Sequence, residues 1–331
     1  MSTRGQRIVA DLQREDVTDL LTEIDAYELP PVLEQLVEDY QELEYSRPPF
    51  MWKWVHKLAP KNTLPCVDDE HVDLVPTDKT IAILFVTLID DILEKGGDRA
   101  TFRRLAQIPS DAEEDDAEGG DSDYVAFTRR VWDTLLDRIQ RGPHYDTYEG
   151  IFRYDVEQAI NAVEYSDFVI RNPELATVDD LVRYESHNMV MFAYADLDLM
   201  HTTGGISDDY ATLREAIWEA QLMARIGNWL STWERELAEG DYSSGVVVYA
   251  LENDVIDPAD LDALEAGEVT ADALAERIRA ADVEAEFFDR WDHHYRLLEQ
   301  RNDDLETMDL TPFVEGMEEV LRYHMASTGL K

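Results

Sequence analysis

Arg225-Ile226-Gly227-Asn228-Trp229-Leu230-Ser231-Thr232-Trp233-Glu234-Arg235-Glu236 reads as one helix in which Asn228, Thr232 and Glu236 recur every fourth residue. All three therefore project from one face. An amide oxygen, a hydroxyl and a carboxylate in that register are hard oxygen donors of the kind Mg²⁺ accepts, with water and phosphate completing its octahedron. The intervening Trp229, Leu230 and Trp233 are bulky and apolar, so the helix is expected to be largely buried, and a buried polar stripe needs partners. Taken alone, the stripe fits a metal site and a hydrogen-bonded stripe in a helical core equally well.

A second stretch bears on that choice. From Lys79 to Lys95 the chain reads as a helix that is apolar almost all round (Ile81, Ile83, Leu84, Phe85, Val86, Leu88, Ile89, Ile92, Leu93), the pattern of a helix at the centre of a bundle. Thr77 or Asp78 is expected to cap it, and Gly96-Gly97 to stop it. Asp90, Asp91 and Glu94 stand near its C-terminal end, where the helix dipole disfavours negative charge. A bound cation would remove that cost. The same acid spacing recurs at Glu114, Asp115 and Glu118, inside an acidic run over 109–123 that reads as a solvated surface loop. The position at the end of an apolar helix, not the pattern, is what gives Asp90, Asp91 and Glu94 their meaning.

The remaining chain is helical in pattern. Two helices separated by Pro30-Pro31 are expected before residue 45, then a buried aromatic stretch, Pro48-Pro49-Phe50-Met51-Trp52-Lys53-Trp54. Helices are expected over 125–141, 147–171, 178–201, 207–239, 257–281, 284–301 and 312–327. Nothing alternates with period two for long and no internal repeat is found. The expectation is an all-α protein, a single helical-bundle domain over 1–331.

Composition sets the boundaries. The 331 residues include 73 Asp plus Glu against 29 Lys plus Arg, a net charge of −44. That charge excludes non-specific nucleic-acid binding, which requires cations on the protein side, and argues against docking on an anionic membrane. Hydrophobic content is 44%, enough for a folded core. An acidic shell over such a core is the pattern of a protein at work in concentrated salt, which screens the repulsion; the cytoplasm of a halophile is the expected setting. The single cysteine, Cys66, precludes internal disulfides and reads as a core residue. No apolar leader or membrane-length window is present.

In chain order, then, the sequence has an acid cluster ending an apolar helix, a lone Arg183 in a long helix, the Asn228–Thr232–Glu236 stripe and a terminal Arg322-Tyr323. In that order, over roughly residues 40–327, it resembles the microbial class I terpene synthases. The resemblance implies a first metal motif at Asp90-Asp91-Ile92-Leu93-Glu94 and a second at Asn228, Thr232, Arg235 and Glu236. It implies that Arg183, Arg235, Arg322 and Tyr323 contact a substrate diphosphate, and that Ser186 and His187 follow Arg183 in linker and effector roles. Trp229 stands where an acid commonly follows the motif asparagine, and Glu94 where a third aspartate is usual.

The implied fold is the isoprenoid-synthase helical bundle, and the implied cofactor is Mg²⁺, three ions with bound diphosphate. The implied activity is ionisation of a linear C15 or C20 prenyl diphosphate to a cyclic or rearranged terpene and pyrophosphate, by a monomer or homodimer. The chemistry is coherent. Metal ions with Arg183, Arg322 and Arg225 or Arg235 would receive the developing negative charge, and a dry pocket would protect the carbocation. Phe85, Phe152, Phe192, Tyr194, Trp218 and Trp229 are candidates for its aromatic lining. A chain-elongating prenyl diphosphate synthase of the same fold would need a second aspartate-rich motif where Asn228, Thr232 and Glu236 stand. A non-catalytic helical binding protein is the third reading. Asp292-His293-His294 has the residue types of a metal site, but adjacent histidines on a helix diverge.

Overall fold

In the computed structural model, residues 2–12, 17–110, 122–202, 204 and 208–329 are described; of the 109–123 run, residues 111–121 lie outside them. The Val75–Glu94 helix passes through the centre, with 17 of its 20 residues buried. Its nearly unbroken apolar surface dictates that placement, because no face of it is polar enough to meet water. Around it pack Pro49–Leu58, Ser122–Ile139, Tyr145–Arg171 and Met191–Met200. The longest helix, Tyr210–Glu239, carries the Asn228 stripe and packs on Met191–Met200, Val283–Asp303 and Thr311–Ala326. Among the described residues the fold is all-α, with one isolated bridge between Val67 and Thr202. None of the described helices is long and apolar enough to cross a membrane.

The start of the central helix departs from expectation. It begins at Val75, and neither Thr77 nor Asp78 caps it. Instead Asp78 is buried and paired with Arg138, and Thr77 meets His56 Nε2 at 3.2 Å. The next residue, Lys79, is buried; its Nζ donates to Asp198 Oδ2 and to the Asn62 carbonyl, each at 2.8 Å. A buried pair holds only when its remaining hydrogen-bonding groups are met, and the Leu64 amide, donating to Asp198 at 2.8 Å, helps to meet them.

Pattern reading also missed short polar helices at Arg4–Leu12 and Arg99–Leu105, and the apolar Gly245–Glu252. The largest departure is over 178–201. The expected helix is interrupted: a turn at Val178–Asp180, a π-helical stretch at Leu181–Glu185 and a 3₁₀ turn at Ser186–Met189 precede Met191–Met200. The break falls at Val190, which is held at φ 60°, a left-handed conformation costly for a β-branched residue.

At the far end of the bundle the Thr311–Ala326 helix lies on the Ala59–Asn62 turn. A Cβ at Gly316 would sit 1.8 Å from the Lys61 carbonyl oxygen, so the helix backbone touches the turn backbone directly. Gly316→Ala is expected to destabilise the protein by about 1–3 kcal/mol, as overpacking does, and denaturant titration measures it. An unchanged midpoint would mean that the turn retreats freely.

Candidate functional site

The Val75–Glu94 and Tyr210–Glu239 helices face each other across a cavity of about 830 Å³. On the first helix Ile83, Val86, Asp90 and Glu94 line it; on the second, Ala224, Arg225, Asn228, Thr232 and Glu236 do. On the first helix Ile83 and Val86 come one to three turns before the acids, and on the second Ala224 comes three turns before Glu236. A helix rises 1.5 Å per residue, so Ile83 lies about 10 Å below Asp90. The cavity thus has a charged rim and an apolar floor, the floor completed by Met51, Trp54, Leu58, Val163 and Tyr194.

At the rim, Asn228 Oδ1 accepts from Arg225 Nη1 at 2.5 Å, and Thr232 Oγ1 donates to the Asn228 carbonyl at 2.8 Å. Arg225 is held from behind by Glu185, whose Oε2 accepts from Nε at 2.7 Å and whose Oε1 accepts from Nη2. Glu185 is wholly buried and also accepts from Asn188 Nδ2 at 2.8 Å. Gly240, at φ +83°, ends the helix in the left-handed conformation that glycine adopts without strain. The turn brings Asp241 into the cavity wall. Arg47, Lys95 and Arg235 also reach the rim.

Asp91 requires a correction. It is expected as a metal ligand, but neighbours on a helix diverge by about 100°, and only Asp90 faces the cavity. Asp91 is fully buried on the other side, accepting from the Tyr40 hydroxyl and from Arg47 Nε at 2.7 Å, with Lys95 Nζ at 3.0 Å. It anchors the rim from behind.

Four other expected residues lie outside this cavity. Arg183 is exposed, its guanidinium over the Tyr184 ring at 5.8 Å; the π-helical turn beneath it rotates it out of the register a regular helix would give. His187 packs between Phe192 and Trp218. On the last helix Val320 and His324, four apart, face the cavity. Arg322 lies about 200° round from Val320 and, with Tyr323, lines a shallow groove against Leu12, Val17 and Leu20. Of the six candidate aromatics only Tyr194 lines the cavity; Trp229, for example, packs edge-on to Phe287 in the core. His294 is taken by Glu219 at 2.6 Å and Asp292 by the Arg4 amide, so the Asp292–His294 triplet is structural.

A model of the terpene synthase family 2, C-terminal metal-binding region, matches residues 82–280. The chain belongs to the terpene synthase family. No curated protein matches it in sequence. Among solved structures, the linalool/nerolidol synthase from Streptomyces clavuligerus superposes with a TM-score of 0.51 at 10% identity, covering 90% of this chain and 98% of that one. At that identity the likeness is one of fold, the class I all-α bundle. The matched region holds the Tyr210–Glu239 helix and most of the Val75–Glu94 helix, the two that carry the oxygen donors at the cavity.

The electrostatics of the rim test whether a divalent metal fits. Burial raises Asp90, the Arg47 guanidinium draws it part of the way back, and Asp91 and Asp241 raise it further. Burial, then Asp90, Asp241 and Glu236, holds Glu94 well above the usual carboxylate range. Burial, then Asp241, pushes Glu236 up to about 7. These carboxylates repel one another, and each is a hard oxygen donor of the kind divalent cations accept. The donor set fits a hard divalent cation.

A pH dependence follows. A carboxyl group with a folded-state pKa above its unfolded value stabilises the fold at low pH, and that stability is lost as pH rises through the folded value. For Glu236 the window runs from 4.5 to about 7. The thermal midpoint of the metal-free protein should therefore fall between about pH 5 and pH 8, and Glu236→Gln should shallow the fall. Equal slopes in the two proteins would remove Glu236 from the group that titrates.

Proposed function

We propose that this chain is a Mg²⁺-dependent terpene synthase that ionises a linear prenyl diphosphate, C15 or C20, and releases pyrophosphate with a cyclic or rearranged terpene. The observation that carries this reading is that two oxygen-donor sets, Asp90 with Glu94 and Asn228 with Thr232 and Glu236, line one largely apolar cavity from facing helices. The chain would act as one domain over 1–331, as a monomer or homodimer, and its net charge of −44 suits it to a salt-rich cytoplasm.

Asp90, Glu94, Asn228, Thr232 and Glu236 would hold the metal, with Asp241 the further carboxylate at the rim. Mg²⁺, three ions with bound diphosphate, supplies the positive charge that receives the developing diphosphate charge. Arg225 and Arg235 add fixed donors on the same side. Glu185 orients Arg225 before substrate arrives, and Nη1, which donates to Asn228 Oδ1, would turn to diphosphate as that oxygen takes the metal. The floor residues Met51, Trp54, Leu58 and Tyr194 exclude water from the hydrocarbon chain, and the aromatic faces of Trp54 and Tyr194 each offer a carbocation about 0.5–2 kcal/mol. Arg183, Arg322 and Tyr323 would reach diphosphate only after a rearrangement that draws their segments toward the rim.

The test is incubation in high KCl with Mg²⁺ and each of the C10, C15 and C20 prenyl diphosphates. Pyrophosphate release is assayed and the extract examined by gas chromatography–mass spectrometry. Pyrophosphate with a new terpene is the expected outcome. A longer prenyl diphosphate, formed only with added isopentenyl diphosphate, would replace this reading with chain elongation. Silence with all three from folded protein would leave a binding protein.

A further inference from the structure

The acid face at the end of the Val75–Glu94 helix already carries a cation, and it comes from the chain itself. No basic residue lies in the last turn of that helix. Arg47, from the segment between Pro31–Tyr40 and Pro49–Leu58, reaches across instead. Its Nη2 lies 2.6 Å from Asp90 Oδ2 and 3.9 Å from Glu94 Oε2, and its Nε lies 2.7 Å from Asp91 Oδ1. The segment is fixed from both sides. The Arg47 amide donates to the Tyr40 hydroxyl at 3.0 Å, and its carbonyl accepts from Gln41 Nε2 at 2.7 Å. The guanidinium also lines the cavity.

Resting on the reading of Asp90 and Glu94 as metal ligands, we propose that Arg47 is a positioning residue that occupies the first metal motif until diphosphate arrives. A divalent cation entering alone must displace Arg47 Nη2 from Asp90, and the carboxylate left nearest to Nη2 is Glu94, which the same cation would take. Diphosphate at the rim provides one, and a planar fork of N–H donors suits phosphate oxygens at least as well as carboxylate. The Nε bond to Asp91 keeps the base of the guanidinium in place while Nη2 changes partner. The neighbouring cations sit on other carboxylates, Arg225 on Glu185, Arg235 on Glu239 and Lys95 on Asp91, which leaves Asp90 and Glu94 to Arg47. Arg47 is thus the rim cation that touches both Asp90 and Glu94. Metal loading becomes dependent on diphosphate, and by linkage each tightens the other by the same factor.

Mn²⁺ retained by the protein in equilibrium dialysis, with and without inorganic pyrophosphate, tests this without turnover. Wild type is expected to take up Mn²⁺ weakly alone and about 10-fold more tightly with pyrophosphate. Arg47→Gln should bind Mn²⁺ alone about 10-fold more tightly than wild type and lose most of the gain from pyrophosphate. Arg47→Lys, which keeps the charge, should remain weak for metal alone. If Arg47→Gln fails to fold, Arg47→Gln with Asp91→Asn removes the buried pair together and gives the same readout. Equal affinity for Mn²⁺ alone in wild type and either neutral variant overturns the Arg47 role, even where terpene is formed. Uptake by no form, with pyrophosphate present, overturns the metal reading and the Arg47 role together. Silence toward every prenyl diphosphate beside the expected Mn²⁺ pattern overturns the activity alone.

Discussion

Asn228→Ala should lower pyrophosphate release from the preferred prenyl diphosphate by about 100- to 1000-fold, the scale on which a single preorganised polar group acts in a transition state. Two effects combine. The substitution removes an oxygen donor at the cavity rim, and it leaves Arg225 Nη1 without the Asn228 Oδ1 partner it has at 2.5 Å. The local helix should survive, because the Thr232 hydroxyl bonds to the backbone carbonyl of residue 228, which alanine retains. The far-UV helical signal is therefore expected to match wild type while kcat/KM collapses. Turnover within a few-fold of wild type would remove Asn228 from the metal site.

Glu185→Ala should be the most damaging change to stability. The Glu185 carboxylate is fully buried, and Arg225 is 8% exposed at its side chain. Burial raises the Glu185 pKa, while Arg225, and then its hydrogen bonds, draw it back down. Breaking such a pair from one side strands the other charge, at a cost of about 3–5 kcal/mol, and also removes acceptors from Asn188 and Ser166. Chemical denaturation of Glu185→Ala in high salt should show that loss. Glu185→Gln, which keeps the shape and one acceptor, should lose less. A loss below about 1 kcal/mol for the alanine variant would mean that water reaches Arg225 and solvates it.

The two long helices were legible because burial and period act within one continuous element. An apolar stretch near twenty residues admits few placements, and residues four apart must share a face. That logic put Asp90 with Glu94, and Asn228 with Thr232 and Glu236, before any contact was known. It failed at Asp91 because an acid doublet shows composition, not which member turns inward. It failed at Arg183 because the π and 3₁₀ turns over 181–189 change the rotation per residue, and nothing in Leu181-Val182-Arg183-Tyr184-Glu185 announces them. Arg47, Glu185 and Asp241 were missed for a different reason. Each acts through a partner some forty or more positions away or from a turn, and such meetings are set by tertiary packing. Asp241 alone left a trace, as an acid directly after the glycine that ends the motif helix.

The region that marks the family ends well short of both chain ends, yet the ends clasp each other. The Arg4 amide donates to Asp292 at 3.0 Å, its guanidinium donates to Glu318 at 2.8 Å, and the same group lies 4.0 Å over the Tyr295 ring. The opening helix therefore rests on the two closing ones, and the Val283–Asp303 helix in turn rests on the motif-bearing Tyr210–Glu239 helix. A first helix usually frays, its amides exchanging with solvent long before the core opens. Here the amides of Arg4–Leu12 should exchange together with those of Val283–Asp303 and Thr311–Ala326, as one cooperative unit. A fragment cut to 82–280 would lose that unit and leave the back of the Asn228 helix facing water.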